Sequence, residues 1–210
     1  MKKKLLIAVI ILSVLVPATL SAKLFDLSLG PNVQFTPNFA EITGGEDMGG
    51  LFSDINNYTF GADLRLKILL AEVDLVSTFG KKTEDVEGTA TDFTEISILA
   101  AGGVSFDLFG ITRLGIGLGP RFSVLIDENG NNKVMSGGNP VDVDNLGEAF
   151  LESPLALRAT ADFKLGKLWL GASYTLDTDY RFNNAAEFDK LFSADWDTGR
   201  FGVSLLFSLF

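Results

Sequence analysis

The chain has 210 residues, with 27 acids against 17 bases, no Cys and no His, and 47% of its side chains are apolar; length alone allows one or two domains. Without Cys there is no disulfide frame, thiolate metal site, thiol nucleophile or lipidated N-terminal Cys, and without His there is no imidazole base or ligand. A net charge of -10 argues against nucleic acid as a partner, because phosphate neutralisation needs a basic surface.

Lys2, Lys3 and Lys4 precede the apolar run LLIAVIILSVLV, which is followed by Pro17, small residues and Ala22. This is the order of a secretory signal peptide, and the run is shorter than the roughly 20 residues a membrane-spanning helix needs. The sequence predicts a cleaved leader over 1–22, with Ala18 as the other candidate end, and a single mature domain over 23–210. Removing the leader leaves 14 bases against 27 acids, a net of -13, and makes the periplasm or beyond the working compartment.

After the leader the apolar residues recur every second position. Phe25, Leu27, Leu29, Pro31, Val33 and Phe35 alternate with Asp26, Ser28, Gly30, Asn32 and Gln34, which reads as a strand with two unlike faces. The pattern returns at even positions of 58–68, odd positions of 71–79, even positions of 96–108 and 112–126, odd positions of 155–165, even positions of 168–176 and odd positions of 201–209. Eight strands result, with no helix-period stretch of similar strength and no domain linker. Very short turns join the second strand to the third, the fourth to the fifth and the sixth to the seventh, whereas the other four connections are long. All long loops therefore lie at one end.

Face parity sets the register, because residues paired across antiparallel strands point to the same side. It places Lys67 opposite Glu72, Arg65 opposite Asp74, Asp107 opposite Arg113, and Lys164 opposite Trp169 in cation–π range. The turn at Gly166 and Lys167 has Gly first, as a type II′ hairpin prefers. Pro31 and Pro120 each follow a Gly inside a strand, and because Pro lacks a ladder donor the sequence predicts a bulge at each.

The polar face carries Asp26, Asp63, Glu72, Asp74, Glu95, Asp107 and Asp162 against Arg65, Lys67, Arg113, Arg121, Arg158, Lys164 and Arg200. The other 20 acids fall in the long loops, while no charge lies on the apolar face. A soluble barrel of lipocalin type has the same period but no need to match charges on a solvated face. A closed interior must pair its ions, and a charge on a lipid-facing surface costs about 2–4 kcal/mol near the midplane. The expected fold is therefore all-β, an eight-stranded antiparallel up-and-down transmembrane β-barrel with its apolar face outward.

The leader, the eight alternating segments, the short turns at one end, the long loops at the other and the ending FGVSLLFSLF resemble the small outer-membrane barrels of the OmpA and OmpX type. Essentially the whole mature chain is covered, and the likeness is architectural. It implies a place in the outer membrane of a diderm bacterium, contact with outer-membrane lipid, and assembly by barrel-assembly machinery that reads Phe210 as its signal. Phe210 stands one step out of phase with Phe201, Val203, Leu205, Phe207 and Leu209, whereas the family's terminal aromatic is in phase with its lipid-facing residues.

Within such a narrow lumen the paired ions are expected to act as a plug, with Arg121, Arg158, Arg200, Glu95 and Asp63 in the loop-side half as candidates for a switchable constriction. Asp127, Asn129 and Asn131 have the spacing of a calcium loop, but Asn132 stands where the Gly belongs and Gly138 where the Glu belongs, so no metal site is assigned. No cofactor is expected. Barrel hydrolases, acyltransferases and proteases use His as base, and carboxylates such as Asp142 and Asp144 are generic acidic spacing, so the chain is expected not to be an enzyme. Phe52, Phe93, Phe150, Tyr180, Phe182, Phe188, Phe192 and Trp196 are interspersed in the acidic loops, where they pack loops together, anchor at an interface or form a contact site. The functional expectation is an envelope-structural or surface-interaction role through those loops, toward an extracellular ligand or surface partner. The alternative is a porin-like channel or transporter for small or hydrophobic solutes, which needs an apolar pocket under the loops and a break in the wall, with Pro120 as its candidate place.

Overall fold

The structure, a computed structural model, describes residues 25–37, 42, 48–86, 89–127, 130, 132–136, 139–142, 153–181, 187, 190–191 and 199–209. The leader expected at 1–22 and Phe210 lie outside them, as do Phe150, Phe182, Phe188, Phe192 and Trp196.

The described residues form ten strands in one antiparallel sheet: β1 (Phe25–Phe35), β2 (Tyr58–Ile68), β3 (Ala71–Val86), β4 (Thr89–Leu108), β5 (Thr112–Ile126), β6 (Asn132–Ser136), β7 (Asn139–Asp142), β8 (Pro154–Leu165), β9 (Leu168–Arg181) and β10 (Arg200–Ser208). Eight of them, all but β6 and β7, close into an up-and-down barrel: each pairs with the next in the chain, β5 pairs with β8, and β10 returns to β1. The sequence-based strand boundaries agree closely except in three places, one of them β9, which runs on to Arg181 rather than ending at 176. β3 and β4 continue to the pair Val86–Thr89, so the second long connection is mostly an extended hairpin rather than a loop. β6 and β7 form a further hairpin, laid against β5, inside the third long connection.

Large apolar side chains point outward around the whole ring, among them Leu29, Val73, Ile98, Ile116, Phe163, Leu170 and Val203, while the alternate positions are buried. The register follows the parity reading: Lys67 faces Glu72, Arg65 faces Asp74, Asp107 faces Arg113 and Lys164 faces Trp169. Gly166 takes φ of 69°, as the first position of a type II′ turn requires. Leu69 takes φ of 59° at the corresponding turn, a conformation that side-chain-bearing residues adopt at a cost.

The bulges expected at Pro31 and Pro120 do not form. Pro31 stays in register with Ala62, and Pro120 with Leu155. On the other side of each Pro the ladder skips the pairs next to it and resumes in the same register. The glycines explain this, since a Cβ on Gly30 would lie 1.8 Å from the Leu205 carbonyl oxygen and one on Gly119 would lie 1.7 Å from that of Ala100. The neighbouring strand moves in over the bare glycine, so the chain absorbs the missing donor without an extra residue. The register shift falls instead between Pro154 and Ala156 against β9.

Candidate functional site

The lumen gathers the polar face of every barrel strand, and its buried charges fall into three groups along the barrel. At the turn end, Arg113 donates from Nη2 to Asp26 at 2.7 Å and from Nε to Asp107 at 2.8 Å, while Lys67 Nζ sits 2.7 Å from the other Asp107 oxygen. The Arg113 guanidinium also lies 4.5 Å from the centre of the Trp169 ring, and Lys164 Nζ lies 5.3 Å from it. In the middle, Asp63 is the hub: it accepts from Arg65 Nη2 at 2.9 Å, from Arg158 Nη2 at 2.8 Å and from the Ser204 hydroxyl at 2.7 Å. Arg65 reaches on to Asp162 at 2.6 Å, and Arg158 to Asp74 at 3.2 Å. At the loop end, Arg121 is 2.9 Å from Asp177 and 3.8 Å from Glu95, and donates to the Ser97 hydroxyl at 3.0 Å.

Register and ion pairing are therefore separate matters. Arg65 lies opposite Asp74 and Lys67 opposite Glu72 in the ladder, yet Arg65 binds Asp63 and Asp162, and Lys67 binds Asp107. In so narrow a barrel the far wall is as close to a long side chain as its ladder neighbour, so a guanidinium spans the lumen from β2 to β8. Such pairing is obligatory here, because a charge withdrawn from water costs several kcal/mol unless it is compensated. Arg200 lies at the loop end opposite Thr175 and is part-exposed.

The interior is not polar throughout. Val76, Leu99, Ala101 and Ala156 form a buried apolar cluster. Val76 is the ladder partner of Asp63, and Leu99 is the partner of Arg121. The cluster thus separates the middle ions from the loop-end ions, so Arg121 and Arg158 share no partner. A gate in which those two arginines exchange carboxylates would have to carry a guanidinium through this apolar layer.

The balance of the lumen also differs from seven against seven. Among the described residues seven buried carboxylates (Asp26, Asp63, Glu72, Asp74, Glu95, Asp107 and Asp162) face five buried cations (Arg65, Lys67, Arg113, Arg121 and Arg158). Asp177 lies beyond the expected seventh strand, which ends at 176, although the polar phase through Thr175 continues to it.

At the loop end, parts of the long connections pack on the outer wall. Helix α1 (Met48–Ser53) carries Phe52, whose ring stacks on Phe35 at 4.9 Å, and Leu191 packs with Leu155 and Tyr180. Phe93 is buried on β4. An apolar pocket of about 450 Å³ lies on this outer face, lined by Val33, Phe35, Phe52, Tyr58, Phe201 and Val203.

Of the calcium-like segment, Asn129, Asn131 and Gly138 lie outside the described residues, while Asn132 starts β6. Among the described residues no group of three or more His, Cys, Asp or Glu side chains is placed to hold a metal ion, and no helix is long and apolar enough to cross a membrane. No family model, curated protein or solved structure matches the chain.

Proposed function

We propose that the chain is a non-enzymatic barrel of a diderm outer membrane, similar in architecture to the OmpA and OmpX type. In this reading it is exported through the periplasm, its lumen is a structural plug, and its acidic loops supply an envelope-structural or surface-interaction role.

One observation carries the proposal: the barrel is inside out relative to a soluble one. Arg65, Lys67, Asp63 and Arg158 are at most 1% exposed in its centre, while Leu114 and Ile116 are 43% and 57% exposed on its outside. Soluble monomers rarely leave contiguous apolar patches larger than about 300–600 Å² in water, and here the apolar face runs around the circumference. In hydrocarbon the same surface is favourable, and each of the eight barrel strands is paired on both sides. Partition supplies the first test: the protein expressed with its leader should sediment with outer-membrane fragments and resist carbonate extraction. Recovery as a monodisperse species in detergent-free buffer would overturn it.

The loop role rests on charge. The four long connections hold 20 acids and five bases on the sequence-based boundaries, a surface suited to a basic partner or to divalent ions bridging lipid head groups. Deleting 127–153 should abolish binding of the barrel to cells or matrix while leaving it folded, and unchanged binding would remove that loop from the proposal.

The solute-passage alternative draws less support. The apolar pocket lies outside the wall rather than in the lumen, and at Pro120 the two backbones close over Gly119 instead of parting.

A further inference from the structure

The buried charge excess lies below the loop end. There Glu95 faces Arg121, whereas among the described residues of the turn end and the middle six buried carboxylates (Asp26, Asp63, Glu72, Asp74, Asp107 and Asp162) face four buried cations (Arg65, Lys67, Arg113 and Arg158). Glu72 stands between the two groups, opposite Lys67 in the ladder and 3.9 Å from Arg113. Beside these ions is a small space lined by Glu72, Asp74, Thr160, Arg158 and the wall residues Gly103 and Gly117, with a volume of about 10 Å³. That is room for one small species.

Three oxygens of the lining residues have no hydrogen-bond partner: Glu72 Oε2, Asp74 Oδ1 and the Thr160 hydroxyl. Their residues are 5%, 5% and 6% exposed, so each is a polar group taken out of water without a protein partner, an arrangement that costs free energy unless something else ligates it. Arg113 Nη1 stands 3.9 Å from Glu72 Oε2, beyond hydrogen-bond reach. The missing side chain at Gly115 borders the Thr160 hydroxyl and the other Glu72 oxygen, since a Cβ there would lie 2.5 Å from the first and 3.0 Å from Glu72 Oε1.

We propose that Glu72, Asp74 and Thr160 form a site for one dehydrated monovalent cation of sodium size. Two carboxylates beside one guanidinium leave one negative charge, which a monovalent cation balances and a divalent ion overshoots, and three side-chain oxygens fall far short of the six to eight that calcium takes. The proposal depends on the barrel interior alone, so it stands or falls separately from the membrane assignment.

The test is urea unfolding of the full folded protein at constant ionic strength, with sodium replaced stepwise by choline, which is too large to enter. Sodium is expected to raise the folding equilibrium constant about tenfold over choline, as a ligand bound only by the native state does. Thr160→Val, which removes one ligand oxygen and keeps the shape, should lose most of this response, and Asp74→Asn should lose it too. If one variant fails to fold, the other and the wild-type titration still decide. Equal stability of the wild type in sodium and choline, a response to magnesium alone, or an undiminished sodium response in a folded variant would overturn the site.

Discussion

Replacing Arg65 by Met probes the lumen most sharply, because the consequence falls on one carboxylate. Arg65 Nη1 donates to Asp162 Oδ2 at 2.6 Å, Asp162 Oδ1 has no hydrogen-bond partner, and the Asp162 side chain is 1% exposed. Asp63, by contrast, keeps Arg158 and Ser204 when Arg65 is gone. Arg65→Met therefore leaves Asp162 buried without a donor while preserving most of the side-chain length. Breaking one side of a buried pair costs about 3–5 kcal/mol, roughly two to four orders of magnitude in the folding equilibrium constant. Urea unfolding in short-chain lipid vesicles, followed by far-ultraviolet circular dichroism, reads that loss. Adding Asp162→Leu should recover at least half of it, since an apolar pair of similar size carries no desolvation penalty. A single variant within about 1 kcal/mol of wild type would mean that water reaches Asp162, and the dry, ion-paired lumen would be refuted.

Other outcomes follow from the same structure. Gly30→Ala and Gly119→Ala place a Cβ within 1.8 Å and 1.7 Å of a backbone oxygen and should each destabilise by about 1–3 kcal/mol in the same assay. Gly102→Ala, with nothing within 4 Å, is the control and should stay within about 0.5 kcal/mol of wild type. Leu69→Gly relieves a φ of 59° and should stabilise by about 0.5–1 kcal/mol, with a loss of stability arguing that the turn depends on the leucine side chain. In planar bilayers neither wild type nor Arg121→Ala should give discrete conductance steps, because the layer of Val76, Leu99, Ala101 and Ala156 remains beneath the mutated residue; steps in either would restore the channel reading.

The period-two pattern made the barrel legible because each strand has one apolar and one polar face, and parity then fixed three hairpins through their charges. Three things stayed hidden, each for a physical reason. Ladder position does not determine which ions meet, since Arg65 and Arg158 are long enough to bind across the lumen. Val76 interrupts the polar phase of β3 singly, and Leu99 is followed inward on β4 only by the small Ala101, so no one strand announces the layer they form together with Ala156 of β8. The Gly-Pro pairs read as irregularities because Pro alone was weighed, whereas the outcome turns on how closely the next backbone approaches the glycine. The extra strand length at 80–86 and 89–95 has charged residues at both odd and even positions and therefore lacks the apolar signal of the other strands.

The central claim is that the apolar outside of this barrel meets acyl chains. A nitroxide attached through Ile116→Cys, at a position 57% exposed on β5, reports it directly in a reconstituted bilayer. Collisions with molecular oxygen, which concentrates in hydrocarbon, should outnumber those with a water-soluble nickel chelate. Free access of the chelate, with little of oxygen, would place this face in water and contradict the account.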